Sequence, residues 1–165
     1  MTATERLLAA ARTYAERALP EEPAGQPLLG VAVVACMDCR LDVFSLLGLE
    51  AGDAHVIRNA GGVVTADTVR SLALSQRKLG TREVMVIGHT DCGLEKVTDD
   101  AFRAEIEAET GLRPDWAVEA FTDVDAGVRQ SVERVRRSPF LPHRDHVRGF
   151  VYDVHDRSLR EVARA

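Results

Sequence analysis

The sequence predicts a single α/β domain with a mainly parallel four-stranded sheet, an antiparallel C-terminal edge strand, and helices on both faces. Three observations carry that expectation. Residues 31–36 (VAVVAC) and 84–87 (VMVI) are short and rich in β-branched residues, and Gly30 and Gly88 bound them, as expected of buried parallel strands. Segments of helical period alternate with these runs, the order of a doubly wound sheet. Residues 150–154 and 159–162, joined by His-Asp-Arg-Ser, read as a closing hairpin. A length of 165 residues gives a prior of one domain, and about two thirds of the unfolded chain's surface can be buried at this size.

Along the chain, Leu7, Leu8, Ala11, Tyr14, Ala15 and Ala18 recur at helical spacing, so residues 1–19 are expected to form a helix with one apolar face. Residues 20–29, with Pro20, Pro23 and Pro27, read as an extended linker, and residues 30–165 as the α/β domain that carries the chemistry. The leading helix precedes the sheet, and its stripe needs a partner: its own domain or a second copy of the chain. Residues 42–47 read as a short helix stopped by Gly48, residues 54–57 as a second strand, and residues 59–62 (NAGG) as a turn-rich loop. A helix over about residues 65–79 places Val69, Leu72, Ala73 and Gln76 on one side, with Gly80 as its stop. Residues 93–121 read as mostly helical but broken by Gly111 and Pro114. Thr122 and Asp125 resemble a capping box that opens a helix carrying Val124, Val128, Ser131, Val132 and Val135 in register.

Composition narrows the function. A net charge of −5 and a pI near 5.5 argue against a nucleic-acid partner, whose footprint is a basic face. No apolar run approaches the ~20 residues of a membrane span. The N-terminal segment is charged throughout, unlike a secretory signal, so a cytoplasmic protein is expected. Cys36, Cys39 and Cys92 are an odd number and too few for a disulfide scaffold.

Two clusters stand at equivalent places, CMDCR (36–40) after the first strand and HTDC (89–92) after the third. In an open parallel sheet, ligands bind at the C-terminal ends of the strands that flank the reversal of strand order. With the usual reversal, the first and third strands are neighbours and the two clusters face each other. Cys36, His89 and Cys92 then supply two thiolates and an imidazole, a tetrahedral zinc set that leaves a fourth position for water, as catalytic zinc sites do. Bound zinc lowers the pKa of its water from 15.7 to about 7. Asp38 can accept that water's hydrogen and aim its lone pair, and the fixed fork of Arg40 can hold the Asp38 carboxylate ionised. Two other readings remain open on these residues. Cys39 as a fourth ligand gives a closed Cys3His structural site, and Cys36 with Cys39 gives a redox pair. Asp91 reads as a turn residue capping backbone N–H groups. His55, His143, His146 and His155 read as surface or packing histidines.

The two motifs resemble those of the β-class carbonic anhydrases. CMDCR is similar to the family's Cys-x-Asp-x-Arg, and GHTDCG at 88–93 supplies its His-x-x-Cys. GDAHVIRNAGG and the closing GFVYDV are also similar, so the resemblance spans nearly the whole chain after the linker and looks most like the short, archaeal-type branch. It implies one Zn2+ per chain on Cys36, His89 and Cys92, with Asp38 and Arg40 orienting a zinc-bound hydroxide. The implied activity is a lyase reaction, the reversible hydration of carbon dioxide to bicarbonate, with hydrolysis of carbonyl sulfide or carbon disulfide as the neighbouring alternative. It further implies that Gly61 and Gly62 line the substrate cleft. The leading helix is implied to pack on a partner protomer in a homodimer or homotetramer. Cys39 departs from the family pattern, which more often has Ser or Ala there.

Overall fold

The computed structural model describes residues 1–16 and 25–164. Its centre is β1 (Val31–Cys36), which pairs in parallel with β2 (Ala54–Asn59) on one side and β3 (Glu83–His89) on the other. With neighbours on both edges and layers on both faces, β1 is buried almost throughout, which explains its unbroken apolar run. β4 (Val147–Tyr152) pairs in parallel with β3, and β5 (Leu159–Arg164) closes the sheet antiparallel to β4. The order is β2-β1-β3-β4-β5, so the first and third strands are neighbours and their C-terminal ends lie side by side, as expected.

Two cores flank the sheet. Val34, Leu72, Val86, Val128, Val132 and Val147 fill one, beneath α3 (Ala66–Leu79) and α5 (Val124–Arg137). Val33, Leu41, Val43, Ile87, Cys92 and Tyr152 fill the other, joined by Leu46 and Leu47 of α2 (Val43–Leu47). Alternate side chains of one strand point to opposite faces, which is how Val33 and Val34 come to serve different cores.

Several boundaries differ from the sequence reading. β4 begins at Val147 and ends at Tyr152, because its register is set by β3, from Val84 opposite Val147 to His89 opposite Tyr152. Asp153 instead opens the hairpin loop, its Oδ1 accepting from the N–H of His155 and Asp156. The cap of α5 is Asp123, whose carboxylate accepts from the N–H of Asp125 and Ala126. An anionic acceptor one residue closer to the helix displaces Thr122 from that role. Between residues 93 and 121, a 3-10 turn (Gly93–Lys96) and α4 (Asp99–Thr110) are helical, and α4 stops at Gly111. The returning segment stays irregular because the Asp99 carboxylate takes the N–H groups of Val118, Glu119 and Ala120, which a helix would need.

The N-terminal helix forms as α1 (Ala3–Ala15), opened by a capping box between Thr2 and Glu5. It buries none of its residues, and Leu7 is 70% exposed. Ala18 and residues 20–24 of the expected linker lie outside the described residues. No helix among the described residues is long and apolar enough to cross a membrane.

Candidate metal centre

Cys36 ends β1, His89 ends β3, and Cys92 follows after a short turn. Parallel, in-register pairing of β1 with β3 brings these positions together, and all three residues are at most 4% exposed. One ligand atom from each lies within 4.8 Å of the others. Tetrahedral zinc with bonds of about 2.3 Å to sulfur needs the sulfurs about 3.8 Å apart, so such a cluster suits it.

His89 is prepared for this role. Its Nδ1 lies 2.9 Å from the Thr90 carbonyl, which only accepts, so Nδ1 carries the proton and Nε2 is left with a lone pair. Nε2 is buried and has no hydrogen-bond partner among the described residues. A buried, unpaired polar atom is costly, and a cation between the two cysteines satisfies it. Donation from the Cys92 thiol pulls the pKa of Cys36 down against the opposing effect of burial, while the Cys36 thiolate pushes Cys92 up.

Asp38 stands beside the cluster, with Oδ2 3.8 Å from His89 Nε2. Arg40 grips it with three bonds: Nε to Oδ1 at 3.0 Å, Nη2 to Oδ2 at 2.7 Å, and its backbone N–H to Oδ1 at 2.9 Å. These hydrogen bonds hold the Asp38 carboxyl well below the usual carboxylate range. The structure thus brings together five of the sequence-predicted site residues: Cys36, His89, Cys92, Asp38 and Arg40.

The NAGG loop forms the next wall. Gly61 and Gly62 both have positive φ, and Gly61 lines a cleft of about 670 Å³ together with Cys36, Asp38, Cys92, Leu94 and Trp116. Gly62 sits behind that surface. A Cβ there would lie 2.9 Å from both the Cys36 nitrogen and the Ile87 carbonyl oxygen, so its place is against the backbones of β1 and β3. Cys39 is exposed and stands outside the ligand cluster, so the arrangement supports neither a four-ligand site nor a buried redox pair.

Two contributors escaped the sequence reading. Arg58 on β2 donates to the carbonyls of Cys36 (2.9 Å) and Asp38 (2.6 Å), pinning the ligand loop from the side. Asp91 caps no backbone N–H among the described residues; its carboxylate meets Arg40 at 2.8 Å and Lys96 at 2.6 Å. The other histidines remain apart from the cluster, His55 bonding Ser75 at 2.8 Å.

Comparison with known proteins agrees with this geometry. Residues 31–120 match the family model for carbonic anhydrase. The chain is 49% identical to beta-carbonic anhydrase 1 of Mycobacterium tuberculosis, over 98% of this chain and 99% of that one. It is 35% identical to a carbon disulfide hydrolase of Acidithiobacillus thiooxidans, over 78% of this chain and 74% of the relative. The crystal structure of carbonic anhydrase from Streptococcus mutans superposes with a TM-score of 0.91 at 37% identity, covering 99% of both chains. Such likeness along nearly the full length, on a matching backbone, means that the chain belongs to the β-class carbonic anhydrase family.

Proposed function

We propose that the protein is a zinc-dependent carbonate dehydratase, interconverting carbon dioxide and bicarbonate with one Zn2+ per chain held by Cys36, His89 and Cys92. The observation that carries this reading is the buried Nε2 of His89, unpartnered among the described residues, beside two cysteines, with an ionised Asp38 held 3.8 Å away. Zinc bound there supplies Lewis acidity, bringing the ionisation of water close to neutral pH. Asp38, kept ionised by Arg40, accepts hydrogen bonds and cannot donate them. A nucleophile derived from water beside it therefore turns its hydrogen toward the carboxylate and its lone pair into the cleft. Leu94, Val97, Phe102 and Trp116 give the cleft an apolar wall suited to a small, uncharged, linear substrate, with Gly61 and the Gly62 turn behind it as the backbone side of the pocket.

Asp38→Ala is expected to keep zinc at one per chain while lowering carbon dioxide hydration by about 10–100-fold in stopped-flow assays. An unchanged rate would remove Asp38 and Arg40 from the reaction. The same apolar wall, together with the similarity to carbon disulfide hydrolases, supports a second reading in which carbonyl sulfide or carbon disulfide is the substrate. Assays of the three substrates side by side decide between them by their kcat/KM values.

The exposed apolar stripe of α1 supports packing on a partner protomer, giving a homodimer or homotetramer. Buried, unpaired thiols at Cys36 and Cys92 support a reducing, cytoplasmic setting.

A further inference from the structure

Asp91 lies between the ligands His89 and Cys92, and it has a φ of 54°, a backbone conformation that L-residues with side chains avoid. That conformation presents both of its acceptors to one guanidinium. Arg40 Nη1 donates to Asp91 Oδ2 at 2.8 Å, and Nη2 donates to the Asp91 carbonyl at 2.9 Å. Nε and Nη2 of the same group hold Asp38, so Arg40 is clamped between the loop after β1 and the loop after β3. The other carboxylate oxygen, Oδ1, meets Lys96 Nζ at 2.6 Å from the 3-10 turn (Gly93–Lys96). A chain of charge thus runs Lys96–Asp91–Arg40–Asp38 and ends 3.8 Å from His89 Nε2. The Arg40 side chain is 42% exposed, so Asp38 alone would leave it free to swing. A small movement of the pair would carry a carboxylate oxygen in among the metal donors.

We propose that Asp91 is a positioning residue: its two-point grip fixes Arg40, which holds Asp38 beside the ligand cluster instead of within it, while Lys96 braces Asp91 from outside. The significance for catalysis rests on the carbonate dehydratase reading above.

The test pairs kinetics with an NMR readout of the zinc-loaded protein that involves no substrate. The Arg40 Nε–H resonance is expected to be single and slow to exchange in the wild type. Asp91→Gly removes the carboxylate while suiting the left-handed backbone; it should average that resonance and lower kcat about 10-fold, with KM and zinc content unchanged. Asp91→Asn tolerates the same backbone and keeps an acceptor for Arg40, so it should recover most of the rate, and Lys96→Met should show a smaller loss than Asp91→Gly. A wild-type resonance and kcat in Asp91→Gly would overturn the proposal, as would a loss of kcat that simply follows loss of zinc. If Asp91→Gly does not fold, unaltered resonance and kcat in Lys96→Met would overturn it. A wild-type protein that keeps the slow resonance but hydrates no carbon dioxide would sink the proposed reaction and leave the clamp standing.

Discussion

Gly62 helps set the position of Cys36 although it contributes no side chain. With φ at 66° and its missing Cβ standing 3.0 Å or less from the backbone of Ala35, Cys36 and Ile87, it lets the NAGG loop lie directly on β1 and β3. Gly62→Ala has to shift one of those strands at the ligand end. The left-handed strain alone is worth about 1–3 kcal/mol. Denaturant unfolding should show at least that loss, and metal analysis should show reduced zinc retention; a variant with wild-type stability and zinc content would contradict the packing described. The residues with chemical signatures were legible in the sequence. Cys36, His89 and Cys92 are metal-ligating side-chain types and Asp38 and Arg40 an oppositely charged pair, all placed in or just after strand-like runs. Arg58 and Asp91 were not, because one acts on backbone carbonyls 20 or more residues away and the other depends on a left-handed turn. Neither property leaves a pattern in local spacing.

The packing of α5 on β3 and β4 depends on close approach. A Cβ at Gly149 would lie 2.6 Å from Val128 Cγ1 and 2.9 Å from Val132 Cγ2, both on buried valines with no room to turn. Gly149→Ala is therefore an overpacking change expected to cost about 1–3 kcal/mol, read as a lower urea midpoint at unchanged m-value. The N-terminus of α5 is tied to β5 by the Asp125–Arg160 ion pair, and donation from Arg160 lowers the pKa of Asp125. Because the folded pKa lies below the unfolded one, the pair's stabilisation is complete above about pH 4 and fades as pH falls through the folded value. Arg160 is half exposed, so the contribution is about 0.2–1 kcal/mol. Wild type and Asp125→Asn should differ by that amount in urea unfolding at pH 7, and the gap should close in strong acid; a gap that widens toward acid would contradict the pairing. Element identity was largely legible, because β-branched runs and helical stripes report burial directly. The β4 boundaries and the irregular segment after α4 were not, since a partner strand's register and the Asp99 carboxylate decide them from a distance.

The strand order β2-β1-β3 turns two separated motifs into one centre, and it followed from the sequence because the parallel reversal that creates a crevice was the only premise needed. The destination of α1 is harder to read from one chain. Its stripe satisfies helix formation equally well on any apolar surface, and among the described residues it buries nothing. Packing of α1 on a second protomer predicts that deleting residues 1–16 reduces the number of chains per particle in sedimentation velocity; an unchanged number would contradict that packing. The most direct examination of the centre itself is X-ray absorption at the zinc edge of the metal-loaded protein. Two sulfur neighbours at about 2.3 Å with nitrogen or oxygen neighbours at about 2.0–2.1 Å are the expected result. Three sulfur neighbours, bringing Cys39 onto the metal, or none at all, would contradict it.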